Sequence, residues 1–186
     1  MGKLFWQINM SLDGFMEESD GSLKRTAEID DPDFQKYATE MLGTITGFII
    51  GRKTYELFAG YWPTADGPDA EILNRLPKLV FSRTLKAADW NNSRIAHGDA
   101  AAEIGKFQDE CGGDVALFGS SELAGSMMEL DLIDEYRIIV TPFILGGGKT
   151  AFKRGHTAAL KLERSEAWGS GAVALTYSRV ENSGGN

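Results

Sequence analysis

Gly47-Phe48-Ile49-Ile50-Gly51-Arg52-Lys53-Thr54-Tyr55-Glu56-Leu57 is an apolar run, a glycine, and then a polar stretch of helical character. Phe48, Ile49 and Ile50 read as a short buried strand. Gly51 breaks it, and residues 52–58 continue as a helix. A strand that passes through a glycine into a helix sets the first backbone N–H groups of that helix at the strand's C-terminal end, where the helix dipole also favours negative charge. Arg52 and Lys53 add full charges there, and Thr54 adds a hydroxyl. This set suits a phosphate. It is equally compatible with a plain strand-helix corner carrying two solvated cations, since such corners occur throughout α/β proteins.

A second corner has the same form. Asp114-Val115-Ala116-Leu117-Phe118 reads as a strand and runs into Gly119-Ser120-Ser121-Glu122. A helix follows, with Leu123, Met127 and Leu130 expected to face inward. Gly119 permits close approach of backbone to a pyrophosphate. Ser120 and Ser121 either cap the helix or bond phosphate oxygens. Ligands of open α/β sheets sit beyond the carboxyl ends of the strands, so two such corners suit the two ends of a dinucleotide. The GxGxxG fingerprint is absent, which disfavours a standard Rossmann dehydrogenase.

The rest of the chain extends this pattern. Residues 4–10 are nearly continuously apolar, as in a strand buried on both faces. Ser11-Leu12-Asp13-Gly14-Phe15 turns out of that strand. Asp13 therefore sits at the ligand-binding edge, or is simply an aspartate in a turn, where it is common. Residues 17–30 are polar and read as a mobile loop of the lid type. Asp31, Pro32 and Asp33 mark a helix start, and Phe34, Tyr37, Ala38, Met41 and Leu42 give that helix one apolar face before Gly43 ends it. Residues 60–77 hold three prolines and read as irregular, with one helical turn at 70–74. Strands are expected at 78–82, 94–96 and 135–143, and an antiparallel hairpin at 160–168 and 172–180. Asp99 caps a helix that runs through Cys111. One domain over residues 1–181 with a disordered tail at 182–186 is expected. The order predicts an α/β fold: a mostly parallel, helix-flanked sheet of about eight strands with an antiparallel C-terminal hairpin.

Composition excludes several classes. The net charge is −8 over 186 residues, which argues against a nucleic-acid partner. A single cysteine excludes an internal disulfide and a cysteine-rich zinc site. Cys111 reads as a core residue. His97 and His156 lack metal-ligand spacing, so no metal site is expected. No apolar run reaches membrane-spanning length and no leader is seen, so a cytoplasmic protein without membrane contact is expected. Gly146-Gly147-Gly148-Lys149-Thr150 fails as a phosphate-binding Walker loop, because Phe143 stands where glycine is required. It reads as a loop beside a ligand pocket or a bulge in the long strand.

Together these stretches resemble the dihydrofolate reductase-like fold, nearest the branch of the riboflavin-pathway pyrimidine reductase domain and its stand-alone relatives. Ser11-Leu12-Asp13-Gly14 resembles that branch's first-strand motif. Gly51-Arg52-Lys53-Thr54 resembles its glycine-arginine-x-threonine corner, and Phe118-Gly119-Ser120-Ser121-Glu122-Leu123 its second dinucleotide corner. Thr141-Pro142-Phe143-Ile144-Leu145-Gly146-Gly147-Gly148 resembles its late strand and glycine loop. The likeness spans nearly the whole chain in the right order.

The resemblance implies NADPH as cofactor. By position, Gly51, Arg52, Lys53 and Thr54 would meet the adenosine-side phosphates, and Ser82 and Arg83 the 2′-phosphate. Phe118, Gly119, Ser120, Ser121, Glu122 and Leu123 would hold the pyrophosphate. Asn9 would lie near the nicotinamide, and Asp13 would face the substrate as the catalytic candidate. The implied substrate is a ribosylaminopyrimidine or related heterocycle, and the implied assembly a homodimer. The apolar stretch 136–145 adds weak support for a covered face. Pterin-reducing members need a carboxylate on the first helix, where the nearest position here is Gln35, with Asp31 and Asp33 earlier. Dihydrofolate reduction is thus disfavoured. The competing readings are a nucleotide-binding protein of the same fold without turnover, and a different pterin or nitro-compound reductase that shares the cofactor.

Overall fold

The computed structural model describes residues 2–153 and 155–180, and the tail expected to be disordered lies outside them. The chain opens with β1 (Leu4–Ser11), a short β2 (Phe15–Glu17) and a single turn, α1 (Lys24–Ala27). Then come α2 (Pro32–Thr44), β3 (Ile45–Gly51), α3 (Arg52–Ala59), α4 (Pro68–Arg75), β4 (Lys78–Phe81) and β5 (Ser93–Ile95). The second half holds α5 (Ala100–Cys111), β6 (Asp114–Phe118), α6 (Ser121–Glu129), β7 (Glu135–Thr141), β8 (Lys149–Thr150), β9 (Leu160–Ala167) and β10 (Val173–Arg179).

Eight strands form one sheet in the order β5-β4-β3-β6-β1-β7-β10-β9. Every pairing is parallel except β10 with β7 and with β9. A second, two-stranded sheet pairs β2 with β8. Alternate side chains of the central strands enter opposite layers, as the two-residue period requires. Trp6, Ile49, Val115 and Leu117 pack with Ile104 and Phe107 of α5 and Met127 of α6. Phe5, Phe48, Ile50 and Ala116 pack with Met41 and Leu42 of α2, Tyr55 of α3 and Leu73 of α4. Both faces of the sheet are therefore covered, which is why β1, β3 and β6 read as continuous apolar runs.

The structure departs from the sequence-based expectations at several places, and α2 runs one residue past Gly43, to Thr44. Residues 17–30 are not all loop, since α1 lies within them. The helix expected at 70–74 is two turns long, because Pro68 starts it at a position where its missing N–H costs nothing. Leu130 is exposed rather than inward, because α6 ends at Glu129 and Leu130 is its C-cap. β7 stops at Thr141, and Gly146–148 leads into β8 rather than bulging the strand. β7 also lies inside the sheet, bonded to β1 and β10, so it leaves no apolar edge for a partner to cover.

Cys111 is half-buried against the core beside Gly47, and burial pushes its thiol up to about 11, as suits a packing residue. Among the described residues no helix is long and apolar enough to cross a membrane.

Candidate functional site

β3 and β6 are neighbours in the sheet, yet the chain leaves them in opposite directions. From β3 it passes through α3 to β4, and from β6 through α6 to β7 on the far side of β1. That is a topological switch point, with a crevice at the C-terminal ends of the two strands. Both predicted corners open onto it, and they meet at one atom. The Gly51 amide donates to Ser120 Oγ at 2.9 Å, and Thr54 Oγ1 lies 2.9 Å from the same oxygen.

Backbone conformation explains how Ser120 gets there. Gly119 and Ser120 both have φ of 52°, two successive left-handed residues. Glycine adopts this freely, whereas serine does so at a cost of about 1 kcal/mol. The corner is held by Trp6, whose fully buried indole donates to Gly119 O at 2.6 Å, while the Gly119 amide donates to Gln7 O at 3.0 Å. Phe118, buried at the end of β6, packs on Phe48 and Phe58. Sequence reasoning did not find Trp6, because its contact joins β1 to a turn more than a hundred residues away.

The helix starts differ in a way that bears on ligand binding. α2 and α5 are capped by their own aspartates: Asp31 accepts from the Asp33 amide and Asp99 from the Ala102 amide. Among the described residues α3 and α6 begin without any side-chain cap, as do α1 and α4, although Ser120 stands at the N-cap of α6. Ser121 Oγ is buried beside that start without a hydrogen-bond partner among the described residues. Uncapped N–H groups and an unsatisfied hydroxyl at a positive dipole end fit a phosphate ester. A cleft of about 190 Å³ opens there, lined by Ser121, Glu122, Thr150, Ala151 and Lys153.

The remaining predicted residues fall as follows. Arg52 is half-exposed, and its Nη1 alone donates to both carboxylate oxygens of Glu56, at 2.9 and 3.0 Å; Lys53 is exposed beside it. Ser82 Oγ accepts from the Leu85 amide at 2.9 Å and from the Thr84 amide at 3.2 Å, which leaves its own proton to donate outward. Arg83 is exposed next to it. Glu122 is exposed, and Leu123 packs partly into the core. Asn9 Oδ1 accepts from Gln7 Nε2 at 3.4 Å, and Gln7 Oε1 accepts from Tyr37 Oη at 2.7 Å. Burial pushes the Tyr37 phenol up to about 12, so it remains a donor.

Asp13 lies at the end of β1, exposed, and accepts from Ser11 Oγ and from the amides of Leu145 and Gly146. The Ser11 hydroxyl foremost, with those amides, holds its carboxyl down at about 2. On α2, Gln35 is exposed and Asp31 is committed to the helix cap and to the Ser170 amide at 2.7 Å. A separate cleft of about 370 Å³, lined by Tyr37, Met41, Asp114, Glu135, Arg137 and Arg164, lies toward the N-terminal ends of β6 and β7 and away from both corners. Among the described residues no three His, Cys, Asp or Glu side chains gather in a metal-binding group.

Known proteins share this fold. The chain is 30% identical to the Bacillus subtilis (strain 168) protein YyaP over 181 residues, covering 94% of each. It superposes on a putative riboflavin biosynthesis protein from Shewanella sp. PV-4 with a TM-score of 0.75 at 21% identity, covering 97% of this chain and all of the other. It superposes on Enterococcus faecalis dihydrofolate reductase, solved with NADP(H), with a TM-score of 0.66 at 14% identity, covering 97% and 98%. The fold is thus dihydrofolate reductase-like. Residues 2–174 match the family model of the RibD C-terminal domain, and the chain belongs to that family.

Proposed function

We propose that the protein is an NADPH-dependent reductase acting on a ribosylaminopyrimidine, of the 5-amino-6-(5-phosphoribosylamino)uracil type, or on a related heterocycle. Membership of a reductase-like family supports an oxidoreductase of riboflavin-biosynthesis type. The observation that carries the finer reading is the convergence of two uncapped helix starts on Ser120 at the switch point.

When bound, the cofactor supplies the hydride, and the protein supplies orientation and a dry pocket. In this reading the start of α6, from Gly119 to Leu123, takes the pyrophosphate on backbone N–H groups and the Ser121 hydroxyl. Arg52, Lys53 and Thr54 take the adenosine-side phosphates at the start of α3. Ser82 donates to the 2′-phosphate and Arg83 supplies its charge, a pairing strengthened because both partners are ionised. Asn9 lies by the nicotinamide. The substrate side favours a neutral heterocycle over a protonated pterin, since the nearest position to the family's carboxylate is Gln35, Asp31 is committed to the helix cap and Asp33 stands exposed in the first turn of α2.

Titration with NADPH and NADH tests the reading. Trp6 is a built-in reporter, because its indole is bonded to the corner that would hold the pyrophosphate. Fluorescence quenching that favours NADPH, followed by NADPH oxidation with the pyrimidine, supports the reductase. Binding without oxidation reduces it to a nucleotide-binding protein, and no binding of either nucleotide removes it.

A further inference from the structure

The turn after β1 and the loop after β7 are joined by a continuous set of bonds. The Leu12 amide donates to Phe143 O at 2.8 Å and the Ala151 amide to Gly14 O at 2.9 Å. β2 pairs with β8 just beyond. Between these, Asp13 carries the connection on its side chain. Oδ1 accepts from Ser11 Oγ at 2.6 Å and from the Leu145 amide at 3.1 Å, and Oδ2 accepts from the Gly146 amide at 2.8 Å. Ser11 is fully buried, and its oxygen also accepts from the Phe15 amide at 3.0 Å, so its proton is directed at Asp13. Every partner of the carboxylate is a donor. A side chain that only accepts, from three donors on two segments, is built as a tie between them.

We propose that Asp13 is a positioning residue: its carboxylate clamps Leu145 and Gly146 to the turn after β1, so that the two strand-end loops form one wall of the reductase site. Naming that wall as part of a reductase site rests on the function proposed above; the clamp itself does not.

Two further features agree with this role. The carboxyl held at about 2 stays ionised at neutral pH, which suits a permanent acceptor and not a proton donor. The clamp also fixes the direction of Leu12 and Ile144, its neighbours on the two segments, which are 67% and 75% exposed. Two large apolar side chains held outward beside a ligand-binding edge form a lip against which the flat face of a heterocycle can rest.

Amide hydrogen exchange on the full chain tests the clamp. In Asp13→Ala the Leu145 and Gly146 amides exchange about tenfold faster, the factor expected for loss of one ordinary hydrogen bond. Asp13→Asn keeps an acceptor oxygen and gives an intermediate rate at one of the two. Ser11→Ala, which leaves the carboxylate in place but frees its orientation, accelerates both by less. Unchanged exchange at both amides in Asp13→Ala, or in Ser11→Ala should the first variant not fold, overturns the clamp. NADPH titration of the wild-type protein, followed by NADPH oxidation with the pyrimidine, separates the two ideas. Altered exchange in the variants, with no NADPH bound by the wild type, keeps the clamp and removes the reductase. NADPH binding and oxidation by the wild type, with unaltered exchange in the variants, does the reverse.

Discussion

Ser120 Oγ stands 2.9 Å from the Gly51 amide, so the first helix after β3 and the first helix after β6 share one hydroxyl. Ser120→Ala deprives both Gly51 and Thr54 of a partner and should cost about 1 kcal/mol in urea unfolding, with an unchanged m-value. Ser120→Gly loses the same hydroxyl but relieves the left-handed serine, recovering about 1 kcal/mol, and should melt close to wild type. Equal destabilisation by both variants would show that the left-handed conformation costs the chain nothing.

Arg52 is tied to Glu56 one helical turn away, and the pair is half-exposed. Such i,i+4 pairs contribute only about 0.3–0.5 kcal/mol, so Arg52→Ala should leave stability almost unchanged. It should weaken NADPH binding about tenfold, because a phosphate loses a charge-assisted bond. Glu56→Gln releases the guanidinium and should tighten NADPH by about threefold at low salt, with the gain vanishing in high salt. Calorimetric titration at two salt concentrations checks both variants. Tighter binding on removing Arg52 would place its side chain outside the phosphate site.

How much of this could be read from sequence follows from which interactions are local. The start of α2 was legible at Asp31-Pro32, since cap and first-turn proline lie side by side, and β6 was legible to the residue because glycines bracket it. Both corners were legible as strand-glycine-helix patterns. That they meet at Ser120 was not, because Gly51 and Ser120 are 69 residues apart and only the order of strands brings them together. The overlong reading of β7 came from Phe143 and Ile144, whose apolar character is directed outward beyond the strand end. Asp13 could be placed at the right edge but not given its partners, since Leu145 and Gly146 arrive through the loop after β7. The Arg52–Glu56 pair is local and its spacing was there to be read.

Lys78 is fully buried, with no carboxylate partner among the described residues. Its ammonium donates to Leu76 O at 2.7 Å and Asn91 O at 2.9 Å, more weakly to Asn74 O at 3.5 Å, and sits 4.2 Å from the centre of the Trp90 ring. Burial lowers its pKa from 10.5 to about 8. The folded state therefore binds this proton more weakly than the unfolded chain does. The penalty is full below pH 8 and is relieved as pH rises toward 10.5, so this group's contribution to stability increases across that window. Lys78→Met leaves three carbonyls unpaired and should cost about 2 kcal/mol at pH 7. The gap between wild type and variant should widen from pH 8 to 10. Cys111, raised from 9.0 to about 11, makes stability fall only from about pH 9 upward, and Tyr37, raised from 10.0 to about 12, only from about pH 10 upward, and both do so equally in the two proteins. A gap that narrows with pH would contradict the burial of a charged lysine.

Gly148, immediately before β8, lies against the lid-like segment after β1. A Cβ there would lie 2.0 Å from the backbone oxygen of Glu17, and its φ is 129°. Neither neighbour is the end of a flexible side chain, so the clash can be relieved only by separating β2 from β8. Gly148→Ala should therefore destabilise by roughly 2–3 kcal/mol, the scale of a strained backbone position, with the loss concentrated in the β2–β8 pairing. Gly147 is the control: a Cβ there meets only Ser19 Oγ at 3.3 Å, which can turn aside, so Gly147→Ala should stay within about 0.5 kcal/mol of wild type. Thermal melts rank the two variants, and exchange of the β2 amides shows where the damage lies. If the two alanines cost the same, the β2–β8 ribbon yields without resistance, and the two strand-end segments do not form a rigid wall.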